Sequence, residues 1–311
     1  MPPSPIKAPI SAAHFSLLAN GTAPEGGTNY IPEEVWSRLE YSSVDVLYIS
    51  PFTVNNVSKL STNPSPTGTF NLGPGVFPEV ANPEDGPGGG ASLPSLTDRL
   101  KWIVKFARQK NPGVKIFAQQ SALKDYTDFA SLAKLPSSLI DTYASSVRKM
   151  LESKDYDLDG YDLDFSGWNA TASNVATILT KIRAQLDQSK IGRPLYVTIT
   201  APASGTLDKN IAKAVHFVNI MNAPTNTMLA DNSTIVATRD FGFVEGQVLL
   251  GIRPDDTALK SLPTIDEVKS TYNKYTNKKL AGINVWGLNG SNITYTNETQ
   301  VAVNKFLKGL K

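Results

Sequence analysis

The sequence predicts an α/β fold: a single (β/α)8 TIM barrel over residues 1–311 with a long loop after its second strand. Three observations carry this. Eight short apolar runs alternate with about eight helix-length amphipathic segments, without an internal repeat or a linker. Most runs are rich in Val, Ile, Leu and Phe without strict polar alternation, the pattern of strands buried on both faces of a parallel sheet. At 311 residues and 41% hydrophobic content the chain can fill one large barrel core. The other arrangement weighed, an open doubly wound sheet, lacks a Gly-rich turn after the first strand to hold a phosphate.

The strand-like runs are residues 14–18, 44–50, 114–118, 156–165, 195–201, 217–221, 248–252 and 283–288. Pro32-Glu33-Glu34 opens a first helix that continues through Trp36 and Leu39, with proline and acids placed to suit the N-terminal end of the helix dipole. Helix 96–110 repeats Leu100, Ile103, Val104 and Ala107 at helical spacing and ends at Pro112-Gly113. Further helices are expected over 137–154, 172–189, 207–215, 264–274 and 298–310, with a weaker one at 228–238. Residues 53–94 break the rhythm with Pro, Gly, Ser and Asn. A connection that long, leaving the C-terminal end of a barrel strand, reads as a lid or wall of a site, or as an inert excursion.

Composition removes several functions. Net charge is +2 and the basic residues are scattered, so no nucleic-acid groove or membrane-binding face is expected. With no cysteine there are no disulfides, thiolate nucleophiles or Cys-based zinc sites. His14 and His216 are the only histidines, and each sits in an apolar run where a structural role is expected. No stretch reaches the ~20 apolar residues that span a bilayer. The N-terminus is Pro-rich and lacks a signal-peptide core, so the chain as written reads as cytoplasmic, or as secreted if a leader has been removed. Seven Asn-x-Ser/Thr sites, at Asn20, Asn56, Asn169, Asn232, Asn289, Asn292 and Asn297, tilt slightly toward secretion.

The most informative segment runs from Asp155 to Ser166, DYDLDGYDLDFS. Asp155, Asp157, Asp159 and Gly160 match the first half of a calcium loop. Its eighth position should be apolar and is Asp162, and its twelfth should be a bidentate Glu and is Ser166. From Gly160 onward the acids alternate with Tyr161, Leu163 and Phe165, which is strand periodicity with the acids on one face. Carboxylates stacked inside a barrel are costly unless they share protons or meet a ligand, so the row marks a site.

Here the chain resembles glycoside hydrolase family 18, the chitinases and endo-β-N-acetylglucosaminidases, whose fourth barrel strand reads D-G-x-D-x-D-x-E. Asp159-Gly160-Tyr161-Asp162-Leu163-Asp164-Phe165 matches every specified letter but the last, where Ser166 stands. Ala201-Pro202, Leu250-Gly251 and Gly282-x-x-x-Trp286 resemble the family's later strands more weakly.

The resemblance implies substrate-assisted cleavage, in which the terminal Glu protonates the glycosidic oxygen and the sugar's acetamido oxygen attacks. It implies that Asp164 holds the acetamido group, that Asp162 shares protons with it from deeper in the barrel, and that Trp286 floors the N-acetyl sugar subsite. A Ser hydroxyl at position 166 is too weak an acid to replace the Glu, a loss of ~10²–10⁴-fold. The family's Tyr after the sixth strand falls, in either register, on Met221 or Ala223, and its Ser-x-Gly-Gly on the third strand is replaced by Ala118-Gln119-Gln120-Ser121.

The expected site therefore comprises Ser166, Asp164 and Asp162 as the remains of the catalytic row, with Asp159, Trp286, Trp168, Asn222, Met221 and Gln119 as binding residues. The function this implies is a catalytically impaired, lectin-like protein that binds chitooligosaccharide or N-glycan. It would act as a monomer, with no metal or cofactor and no nucleic-acid or membrane partner. Two alternatives stay open: a residual or altered glycosidase, and a storage or inhibitor protein that binds no sugar.

Overall fold

The computed structural model describes residues 6–17, 33–55, 69–72, 96–120, 137–165, 172–201, 207–220, 241–244, 246–252, 264–274, 280–289 and 293–310. The strands are β1 (Ile10–Ser16), β2 (Val46–Asn55), β3 (Thr69–Leu72), β4 (Lys115–Gln120), β5 (Gly160–Asp164), β6 (Tyr196–Ala201), β7 (Phe217–Ile220), β8 (Val248–Ile252) and β9 (Gly282–Val285). All but β3 run parallel to their neighbours, and β1 pairs with both β2 and β9. The eight parallel strands thus close into the barrel that the alternating runs predict.

The α-helices among the described residues are α1 (Glu33–Ser37), α2 (Leu96–Lys110), α3 (Ser137–Glu152), α4 (Ala172–Leu186), α5 (Lys209–Ala214), α6 (Ile265–Lys274) and α7 (Ile293–Lys308). Asp208 caps α5 by accepting from the Asn210 and Ile211 amides. Thr264 and Glu267 bond reciprocally to close the first turn of α6 as a capping box. Helix α7 begins earlier than residue 298, because Asn297 serves its first turn by donating to the Ile293 and Leu288 carbonyls. The helix expected at 228–238 lies outside the described residues.

Strand boundaries shift from the sequence reading, most clearly in β1, β2 and β5, the last of which spans only Gly160–Asp164 of the run 156–165. β1 starts at Ile10 rather than His14 because Ala12 and Ala13, weakly apolar by themselves, pair on both sides with β2 and β9. β2 runs past Ser50 to Asn55, with a register shift between Ile49 and Phe52 that accommodates Pro51, which has no N–H to give. Part of the 53–94 stretch is therefore sheet: its residues 53–55 and β3 form an antiparallel edge.

Strand alternation divides the core in two. Residues such as Leu47, Ile116, Tyr161, Leu163, Val197 and Val218 belong to the larger cluster between sheet and helices. Ile10, Ala12, Val46, Tyr48, Phe117, Tyr196, Phe217 and Leu249 form the smaller cluster inside the barrel. Phe117 stacks on Tyr196 at 5.7 Å and on Phe217 at 6.1 Å, and Tyr48 meets it edge-on at 5.5 Å. This aromatic floor accounts for the glycine in the motif. A Cβ on Gly160 would lie 2.7 Å from the Phe117 ring and 3.0 Å from the Tyr196 carbonyl oxygen.

Candidate functional site

Above the aromatic floor the barrel interior turns polar. β5 places Asp162 and then Asp164 inward, and both are buried. In register with Asp162 are Gln119 on β4 and Thr198 on β6; in register with Asp164 are Thr200 on β6 and, next to it, Asn219 on β7. Their polar side chains meet because residues of equal register share a face of the sheet.

Asp162 is the point on which these groups converge. Its Oδ1 accepts from Thr198 Oγ1 at 2.6 Å, and its Oδ2 accepts from Thr200 Oγ1 and from Gln119 Nε2, each at 2.9 Å. Asn219 Nδ2 donates to Thr200 Oγ1 at 3.0 Å, and Tyr48 Oη donates to Asn219 Oδ1 at 3.4 Å. Every hydroxyl and amide in this chain donates toward the carboxylate. Burial nevertheless raises the Asp162 carboxyl to about 6, against the opposing effect of the Thr198, Gln119 and Thr200 hydrogen bonds. Burial, reinforced by the charge of Asp162, holds the Tyr48 phenol well above its ordinary value.

The second arm of the network reaches Trp286. Gln119 Oε1 faces His14 Nδ1 at 3.2 Å. The His14 ring stacks on Tyr48 at 4.7 Å and lies 4.3 Å from the Trp286 ring, tilted by 36°. Burial lowers His14 to about 3, so the imidazole is neutral at physiological pH. Trp286, at the C-terminal end of β9, is anchored by its backbone N–H on the Ile252 carbonyl. Asp162, Gln119, His14 and Trp286 are thus linked in one network inside the barrel, with Asp164 one inward step further along β5, toward the C-terminal side where (β/α)8 proteins carry their sites.

Asp159 is placed otherwise. It precedes β5, at the N-terminal end of the strand, away from Asp164. Arg108 and Arg193 each reach one of its oxygens at 2.7 Å, and the Ile116 amide adds a bond at 2.9 Å. Both oxygens are occupied by partners that tie α2, β4 and the approach to β6 together. Asp157, another acid of the calcium-loop reading, faces the same two arginines. Ser166, Trp168, Met221 and Asn222 lie outside the described residues.

His14, Tyr48, Thr198, Thr200 and Asn219 were missed as site residues by the sequence reading. The signal for the threonines was present: Thr198 and Thr200 alternate with Val197 and Ile199, putting two hydroxyls on one face of a strand otherwise apolar. Nothing local distinguishes His14 from a core histidine. A hollow lined by Arg148, Glu152, Gln188 and Lys190 lies outside the barrel, away from this network.

The sequence profile described as Glycosyl hydrolases family 18 matches residues 48–238, more than half of the 311-residue chain. This chain belongs to glycosyl hydrolase family 18. Its fold is also that of solved family 18 structures. A class V chitinase from Nicotiana tobaccum superposes with a TM-score of 0.67 at 10% identity, covering 95% of this chain and 98% of that one. A chitinase from Cycas revoluta in complex with (GlcNAc)3 gives 0.65 at 14% identity, covering 95% and 99%. A chitinase-like agglutinin from Robinia pseudoacacia gives 0.64 at 13% identity, covering 94% and 99%. At such identities the likeness is one of fold. No curated protein sequence matches this family 18 chain significantly.

Proposed function

We propose that this family 18 chain binds glycans containing N-acetylglucosamine, such as chitooligosaccharides, without hydrolysing them efficiently. The observation that carries the reading is the pairing of a retained inner site with an altered motif end. Asp162 and Asp164 stay buried inside the barrel, Asp162 linked through Gln119 and His14 to Trp286, while the sequence puts Ser166 where the family motif has its Glu. Acids buried inside a barrel are costly to retain unless a ligand or a hydrogen-bond network uses them. Without a proton donor the leaving oxygen departs unassisted, which removes ~10²–10⁴-fold of rate. Trp286 supplies an aromatic face of the kind on which sugar rings stack.

In this reading Asp164 accepts the acetamido N–H and Trp286 forms the floor beneath the sugar. The same reading assigns Trp168 and Asn222 to binding as well, with Met221 or Ala223 at the sequence position of the family's Tyr. The single-domain span of residues 1–311 belongs to the same proposal, as does a monomeric state. Members of this fold include both a chitinase crystallised with (GlcNAc)3 and a chitinase-like agglutinin, so the fold is compatible with cutting and with binding alone.

Isothermal titration with chitotetraose tests binding, and heat at micromolar to millimolar ligand is expected. No heat at millimolar ligand would leave the storage or inhibitor reading. Ser166→Glu tests the loss of the acid: it should raise hydrolysis of chitotetraose by at least ~10²-fold if the rest of the site is competent. Substantial hydrolysis by the unaltered chain would favour the residual glycosidase.

A further inference from the structure

The ring of Trp286 rests on a histidine whose orientation is decided two residues away. His14 is 3% exposed and lies between two aromatic rings, Tyr48 at 4.7 Å and Trp286 at 4.3 Å. Stacking positions the plane of an imidazole but leaves it free to turn over within that plane's stack, exchanging Nδ1 with Cδ2 and Nε2 with Cε1. A hydrogen bond to one nitrogen removes that freedom.

That hydrogen bond comes from Gln119. An ionised carboxylate only accepts, so the amide nitrogen of Gln119 must face Asp162, as it does at 2.9 Å. The amide oxygen is then turned to His14 Nδ1 at 3.2 Å. An amide oxygen also only accepts, so the proton of the neutral imidazole must sit on Nδ1. His14 Nε2 is buried and has no hydrogen-bond partner among the described residues. Gln119 is therefore the described group that sets both the tautomer and the rotation of the ring. Gln119 is itself 1% exposed and cannot exchange this role with solvent.

We propose that His14 is a positioning residue for Trp286, held in its Nδ1–H form by Gln119, which is oriented in turn by the Asp162 carboxylate. Asp162 then serves Trp286 through two intermediaries, and its own oxygens are taken up by Thr198, Thr200 and Gln119. The acid of the inner motif acts here to hold an aromatic platform. The inference rests on the reading of Trp286 as a sugar platform only for its effect on affinity; the positioning itself concerns the ligand-free chain.

Two measurements on the unliganded protein test the positioning. Long-range 15N–1H correlation of the unaltered chain should report the Nδ1–H tautomer for His14 at pH 7; an Nε2–H or charged ring would overturn the proposal without any variant having to fold. In protein labelled with 5-fluorotryptophan, the Trp286 19F resonance is assigned by its loss in Trp286→Phe. Gln119→Leu and His14→Leu should each move or broaden it, and His14→Phe, which restores a flat ring, should move it less. An unmoved resonance in a Gln119→Leu chain with wild-type circular dichroism would overturn it. Chitotetraose titration adds the functional arm: both leucine variants should bind about threefold to tenfold more weakly, and unchanged affinity would sever the positioning from recognition. If the unaltered chain binds no sugar, the proposed function falls while the tautomer and fluorine results still decide this inference.

Discussion

Gln119 and Asp162 face each other in register across β4 and β5, and the Gln119 amide donates to the Asp162 carboxylate at 2.9 Å. The Gln119 side chain bridges from the Asp162 carboxylate to His14. A carboxylate and an imidazole are thereby coupled inside the barrel, and both are perturbed by burial in ways that solution experiments can read.

Asp162 and His14 pull stability in opposite directions with pH. The folded chain keeps a proton on Asp162 up to about pH 6, whereas an unfolded Asp releases it near about pH 4. Acidification across that window therefore stabilises through Asp162. Burial lowers His14 to about 3, and burial aided by the charge of Arg183 lowers His216 to about 4. Below about pH 6.5 the unfolded histidines bind protons that the folded ones refuse, so acidification destabilises through them. Asp162→Asn should lose stability more steeply than wild type between about pH 6 and 4, and His14→Phe less steeply, each by at most about 1.4 kcal/mol per pH unit. Urea unfolding at a series of pH values measures these slopes, and a parallel Asp162→Asn curve would show that Asp162 does not titrate there.

Asp159 should matter for stability and not for binding. Removing both Arg108 and Arg193 would leave a buried carboxylate without its ion-pair partners, at a cost of about 3–5 kcal/mol. Asp159→Asn, which keeps the shape and loses the charge, should also destabilise while leaving chitotetraose affinity of the folded protein unchanged. Denaturant midpoints together with titration calorimetry separate the two effects. A large affinity loss in folded Asp159→Asn would return this residue to the binding site.

Gly160→Ala should strain the aromatic floor. The added methyl would meet the Phe117 ring at 2.7 Å and the Tyr196 backbone oxygen at 3.0 Å, and only the ring can yield. Such overpacking costs about 1–3 kcal/mol. Thermal unfolding should record a lower midpoint, and a wild-type midpoint would mean that Phe117 repacks freely.

Two of the seven glycosylation sequons should carry no glycan in the folded chain. Asn289 is 1% exposed and exchanges hydrogen bonds with the Ser16 backbone, donating at 2.7 Å and accepting at 3.0 Å. Asn297 donates to the Leu288 and Ile293 carbonyls and accepts from the Glu40 amide. After passage through a secretory pathway, peptide mass spectrometry of the folded product should find both asparagines bare. Asn289→Ala should cost about 1–3 kcal/mol by stranding the backbone groups of Ser16. A glycan on Asn289 in native protein would contradict the geometry.

The barrel was legible in the chain because its information is local. Uninterrupted apolar runs such as 248–252 can only be strands buried on both faces, and helix 96–110 carries its own periodicity and stop signal, so α2 matches it residue for residue. The inward alternation of Asp162 and Asp164 was equally local, since a strand's side chains take opposite faces at every step. What the chain order could not contain was register between strands. Gln119, Asp162 and Thr198 are separated by dozens of residues and become neighbours only when the barrel closes. The same closure sets His14 against Trp286 from opposite ends of the sequence, and it turns Asp159 from a member of the acid row into the partner of Arg108 and Arg193. Periodicity determines which face a side chain takes; the hydrogen-bonded register of non-adjacent strands determines what it meets there.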